Sequence, residues 1–286
     1  MGILLALTAA LGWGAADYFG GDATRRETPV FVVVAVAELI GAALLVPVLI
    51  VRGTPPPEDP RLALAAVAGV AVTVELSLIY RALSRGEAFI TAPVGALGTA
   101  GAVGLGLVAG DPLGPLVAIG LACALLGGGL SAWTSPTSAE RGGTSAQSVA
   151  IAVGAAAAVA TMLTVLHAAG GLDPYWVTAT EHVSTALSAG GAAVVSGRRS
   201  RRIRPPAGSE LPGLGLVAAV GVVGDVAYVS ASHRGALSIV AAISSLYPLT
   251  TIALARVRQG QRATHLQAAG AAVALFGAAL LGAVGG

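Results

Sequence analysis

The chain alternates long apolar runs with short polar breaks. An α-helix needs roughly 20 mostly apolar residues to cross a bilayer. Ten runs reach that length, at about 3–20, 29–51, 62–82, 87–109, 113–133, 147–168, 174–196, 211–232, 236–257 and 264–284. The longest breaks, RGTPPPEDPR, TSPTSAERGGTSAQ and GRRSRRIRPPAGSE, are too short to hold a soluble domain. The first run lacks a basic start, and Asp17 and Tyr18 follow its core, so it reads as a span and not as a cleaved leader. The pattern predicts an all-α membrane protein with ten transmembrane helices.

Polar residues inside these runs stand out. AVTVELSLIYRALSRG (71–86) and GVVGDVAYVSASHRG (221–235) each place one carboxylate, Glu75 or Asp225, about ten residues before a basic residue and a glycine. A charge near the bilayer centre costs on the order of 2.5–3.5 kcal/mol on insertion scales and normally faces the bundle interior or water. Glu38, Glu181 and Asp17 are the other acids within spans. Tyr228 follows Asp225 by one turn, Trp13 precedes Asp17 by one turn, and His182 adjoins Glu181. These eight residues are the candidates for binding solute or proton. Each also has a plainer reading, as a hydrogen-bonded buried acid, an interfacial residue or a local hydrogen-bond partner. His167, His233 and His265 lie near span ends, as do Trp133 and Trp176, where solvation or an interfacial belt accounts for them. Pro93 and Pro248 are candidates for helix bends that free backbone carbonyls.

A repeat underlies the doubling. Setting Gly86 on Gly235 pairs ALSRG with ASHRG; further on, DPLGPLVAIG (111–120) meets QRATHLQAAG (261–270), and ALLGGGL meets ALFGAAL. The chain therefore divides into spans 1–5 (1–136), a linker (137–146) and spans 6–10 (147–286). Five is odd, so the second half enters the membrane from the opposite side, as in the inverted repeats of secondary transporters.

Composition narrows the function. Only 10% of the 286 residues are charged and 55% are hydrophobic, against about 25% charged in soluble domains. All 16 basic residues are arginine, so a P-loop lysine is impossible and ATP chemistry is excluded. A net charge of +2 with the arginines in short breaks makes no nucleic-acid binder. Cys123, the one cysteine, is expected to be a packing residue and permits no internal disulfide. No Cys/His cluster suggests a metal, and no cofactor is implied. Thirteen of the arginines fall in the breaks after odd-numbered spans and three on the other side, which places both termini outside the cytoplasm. The GRRSRRIR break (197–204) also suits anionic headgroups. Packing within the bilayer is left to small residues, as in GALGTAGAVGLGLVAG (95–110).

The order GWG (12–14), the ALSRG and ASHRG turns, the following Pro93 and Pro248, and the polar breaks leading to Gly120 and Gly270 resembles the drug/metabolite transporter superfamily in its EamA-like ten-span branch. The resemblance covers nearly the whole chain. It implies two five-helix halves, alternating access and cytoplasmic termini (contrary to the arginine count). The chain departs from the family by carrying Asp111 and Gln261 where glutamate is usual, and Glu38 and Glu181 where the second span often has arginine. Substrate recognition is therefore not carried over. Buried acids without buried arginines favour cationic, zwitterionic or neutral amphiphilic solutes, amino acids among them, over phosphorylated ones. The expected protein is a multi-pass inner-membrane secondary transporter or exporter whose partners are a small solute, protons and the lipid bilayer. The rivals are a non-transporting scaffold or sensor with the same fold and an intramembrane enzyme, whose protease signatures are missing from ADY (16–18) and VVGD (222–225). Oligomeric state is not read from the sequence.

Overall fold

A computed structural model describes residues 1–24, 29–83, 91–132, 146–200, 206–259 and 264–284. Trp133, Gln261, the Ser84–Gly86 end of ALSRG, Arg25, Arg26, Arg85, Arg141, Arg201, Arg202, Arg204 and Arg262 lie outside those residues. The described residues form eleven helices: α1 (Gly2–Thr24), α2 (Val30–Arg52), α3 (Leu62–Leu83), α4 (Thr91–Val108), α5 (Pro115–Ala132), α6 (Ala146–Ala168), α7 (Pro174–Ser200), α8 (Leu211–Ser232), α9 (Leu237–Ser244), α10 (Tyr247–Gln259) and α11 (His265–Val284).

Local chemistry sets the helix ends. Gly53 closes α2 in the left-handed conformation (φ 60°), with its N–H bonded to the Leu49 and Ile50 carbonyls. The Asp173 carboxylate accepts the N–H groups of Tyr175 (3.0 Å) and Trp176 (3.3 Å) and so caps α7. Thr264 and Gln267 cap α11 reciprocally, each backbone N–H reaching the other's side-chain oxygen.

The ninth predicted span is two helices, α9 and α10, broken at Ser245–Leu246. The cause is Pro248. It has no N–H to offer the Ser244 carbonyl four residues back, and its ring crowds that oxygen.

Among the described residues, six segments are long and apolar enough to cross a membrane: Gly2–Gly20, Val30–Arg52, Val149–Ala168, Leu211–Ser232, Leu237–Arg258 and His265–Val284. Leu62–Leu78, Val94–Val108 and Pro115–Ser131 are shorter apolar helices. α7 belongs to neither group, since Thr178, Glu181, His182, Ser184, Thr185 and Ser188 give it a polar face. Large apolar side chains such as Leu4, Val51, Leu126, Leu187 and Phe276 point outward, as a lipid-facing surface requires. The molecule is a multi-pass membrane protein.

Small residues let the helices approach. Along the α5–α11 seam, a Cβ on Gly277 would lie 2.7 Å from the Gly120 carbonyl oxygen, and one on Gly270 would lie 2.8 Å from that of Gly127. The pairing 120 with 277 and 127 with 270 means that the two helices run antiparallel. The Cys123 Cβ packs at the same seam, 2.9 Å from where a Gly277 Cβ would stand. α1 and α8 are also antiparallel, with Gly2 beside Arg234 and Gly12 beside Gly224. So are α2 and α7, where Gly41 meets His182 and Arg52 meets Asp173 at 2.6 Å. Contacts between helices are largely preserved when the first five are exchanged with the last six. The contacts of α1 with α8 answer those of α6 with α3, and those of α3 with α7 answer those of α8 with α2.

Candidate functional site

The GWG stretch of α1 opens the site. Gly12 presses on the α8 backbone, where an added Cβ would be 2.7 Å from the Gly224 Cα. That proximity lets the Trp13 indole N–H donate to Asp225 Oδ1 at 2.7 Å. The indole also packs on Tyr228, ring centres 5.2 Å apart and tilted by 34°. Tyr228 is fully buried and donates its hydroxyl proton to the Leu163 carbonyl at 2.8 Å, which ties α8 to α6.

Asp225 continues the chain of contacts across the molecule. Its Oδ2 lies 3.2 Å from Nε2 of His182, and Nδ1 of the same imidazole meets Glu38 Oε2. The ring is 2% exposed, whereas the Glu38 and Asp225 side chains keep 23% and 17%. Gly41, one turn along α2 from Glu38, makes room for it: a Cβ there would stand 2.8 Å from Nδ1. Glu181 lies beside the ring on α7. Its Oε1 accepts from the Thr185 hydroxyl at 2.9 Å, and its buried Oε2 has no hydrogen-bond partner among the described residues. One donor atom each from Glu38, Glu181 and His182 falls within 4.8 Å of the others. Four helices, two from each half of the chain, thus converge on one polar network.

Glu75 stands apart from this network. It and Asp17 influence each other electrostatically, and both act on the Tyr247 phenol. By side-chain exposure Asp17 is exposed and Glu75 and Tyr247 are half-buried. The Tyr247 hydroxyl points at Gly95, where a Cβ would be 2.9 Å away. Among the described residues, no ion pair neutralises Asp17 or Glu75.

The eight candidates therefore sort into two groups. Trp13, Glu38, Glu181, His182, Asp225 and Tyr228 come together, and Asp17 joins Glu75. The repeat-related pair Glu75 and Asp225 does not meet in one site. Pro93 lies in the first turn of α4, where a proline removes no intrahelical bond, while Pro248 marks the α9–α10 break. Tyr247, Gly41 and Thr185 were not singled out in the sequence. The i, i+4 spacing of Glu181 and Thr185 was a usable signal; nothing local marked Gly41 or Tyr247. Asp111, the departure from the family pattern, accepts the Ser238 N–H at 2.7 Å and caps α9 across the halves.

The model of the EamA-like transporter family matches residues 1–133 and 146–283. The chain belongs to the EamA-like transporter family. Its members are transporters, so the polar network is not the catalytic centre of an enzyme. A protein known from a crystal structure shares the fold with TM-score 0.80 over 99% of this chain and 97% of its own, at 19% identity. No curated protein matches the sequence.

Proposed function

We propose that this EamA-like protein is a secondary transporter, in the cytoplasmic membrane, of small cationic, zwitterionic or amphiphilic solutes. Its spans are read as ten, in two inverted five-span halves, 1–136 and 147–286, joined by 137–146. The antiparallel α1–α8, α2–α7 and α5–α11 pairs support that arrangement, as does the exchange of contacts between halves. Asp17 and Glu75 form the exchange site, taking in turn a proton and the ammonium group of the solute. The observation that carries this reading is the electrostatic influence of two carboxylates, one on α1 and one on α3, on each other and on the Tyr247 phenol, with no ion-pair partner for either acid among the described residues. Like charges repel, so the pair calls for a cation.

The α9–α10 break supplies the moving part. Tyr247 is the first residue after it, so a change in the angle between α9 and α10 shifts the phenol relative to Asp17 and Glu75. The Trp13–Asp225–His182–Glu38 chain acts as a strut between halves and keeps α1, α2, α7 and α8 in register.

The test is dissipation of an imposed pH gradient in proteoliposomes on adding amino acids and organic cations. Wild type should collapse the gradient with some solute, and a Glu75→Gln/Asp17→Asn double variant should not. A double variant that still couples solute to protons removes the exchange site from these residues. If no solute moves protons in wild type, a scaffold or an uncoupled carrier is the better reading.

A further inference from the structure

We propose that Glu38, Glu181 and His182 form a binding site for one divalent first-row transition cation, with Asp225 holding the imidazole from its far side. Three independent observations converge on it.

The first is geometric. The three donors come from α2 and α7 and already lie within 4.8 Å of one another. Bonds of about 2.0–2.2 Å to a tetrahedral ion put ligand atoms about 3.4 Å apart, so Glu181 would draw in while His182 Nδ1 and Glu38 Oε2, now in direct contact, part to admit the ion.

The second is an orphaned atom. Glu181 is 5% exposed, and although Thr185 serves Oε1, Oε2 is buried without a hydrogen-bond partner among the described residues. A buried carboxylate oxygen left so is costly and uncommon, and a bound cation would satisfy it.

The third is how the imidazole is held. A metal-bound histidine almost always gives its second ring nitrogen to a carboxylate, which sets tautomer and orientation. Here Nε2 faces Asp225 Oδ2 at 3.2 Å, and Asp225 is itself fixed by the Trp13 N–H at 2.7 Å, leaving Nδ1 to face Glu38. Glu38, Glu181 and Asp225 bring three carboxylates to one imidazole, and among the described residues no arginine pairs with any of them. A divalent ion would offset that imbalance.

Donor chemistry sets the class of ion. One imidazole nitrogen with carboxylate oxygens and no thiolate suits Mn²⁺, Fe²⁺, Co²⁺ or Zn²⁺. It disfavours Cu⁺, which seeks sulfur, and Mg²⁺ or Ca²⁺, which prefer oxygen alone. Occupation would cross-link α2 to α7, one helix from each half. The inference is independent of the solute and of proton exchange at Asp17 and Glu75.

The test uses the full chain, purified in detergent micelles and stripped with chelator, and titrates it with Co²⁺ alone. The expected result is saturable binding of one ion per chain, visible d–d absorption that Zn²⁺ displaces, and a higher melting temperature. Glu181→Gln should abolish binding, Asp225→Asn should weaken it about 10–100-fold as the loss of an orienting partner does, and exposed Glu58→Gln should bind like wild type. If Glu181→Gln does not fold, Glu38→Gln takes its place. Absence of saturable Co²⁺ binding to wild type, unchanged binding in Asp225→Asn, or equal competition by Mg²⁺ would each overturn the proposal.

Discussion

A single methyl group at Gly41 tests whether the polar network is a rigid strut. In Gly41→Ala the new Cβ would stand 2.8 Å from Nδ1 and 2.9 Å from Cε1 of His182, and 3.3 Å from Val222 Cγ2. Ordinary contact begins at 3.4 Å, so the ring or the helix must retreat by about 0.6 Å. The ring has nowhere to go, being 2% exposed and held by Glu38 on one edge and Asp225 on the other. A retreat of that size strains the ring against its two carboxylate contacts. Overpacking costs about 1–3 kcal/mol. Alanine returns about 1 kcal/mol over glycine within a helix. The net expectation is a loss of about 0–2 kcal/mol. Gly221→Ala is the matched control, since a Cβ on Gly221 of α8 meets nothing within 4 Å and should be neutral or slightly stabilising. Thermal unfolding in micelles, followed by tryptophan fluorescence, reads the difference. If Gly41→Ala melts with or above Gly221→Ala, the ring is free to move and the strut argument fails.

Other consequences can be checked in the same preparation. Trp13→Phe keeps the ring against Tyr228 but deletes the donor to Asp225, and should lower stability by about 1.5–3 kcal/mol in a chemical unfolding titration. Gly127→Leu should separate α5 from α11, because even a Cβ there runs into the Ala274 N and the Gly270 carbonyl; a cysteine cross-link placed across the seam should then form more slowly. Asp173→Ala removes the α7 cap and the partner of Arg52, and should cost about 1–2 kcal/mol, most of it from the cap. In the loop before α3, hydrogen bonds from Arg61 hold the Asp59 carboxyl below its ordinary value. The pair therefore forms at neutral pH and is lost as pH falls through that lowered value, and Arg61→Gln should return the carboxyl upward in an NMR titration.

Much of the fold was legible along the chain, because bilayer thickness demands apolar runs of a set length. The described ends of α2, α6, α8 and α11 fall within two residues of the apolar runs. The acids could be found for the same reason: a carboxylate in such a run is conspicuous wherever it points. Pro248 announced a disturbance, and the break appears three residues before it.

What the sequence could not decide was which acids meet. Glu75 and Asp225 occupy matching places in the repeat, yet helix rotation and the choice of packing partner send one to Asp17 and the other to His182. Helix facing depends on small residues such as Gly12, Gly41 and Gly224, whose meaning is the backbone that lies against them. The spans themselves follow from transfer of apolar side chains out of water, a property of each run taken alone. The Trp13–Asp225–His182–Glu38 chain exists only because four runs distant in sequence approach closely enough for hydrogen bonds, whose short range makes them a property of tertiary structure.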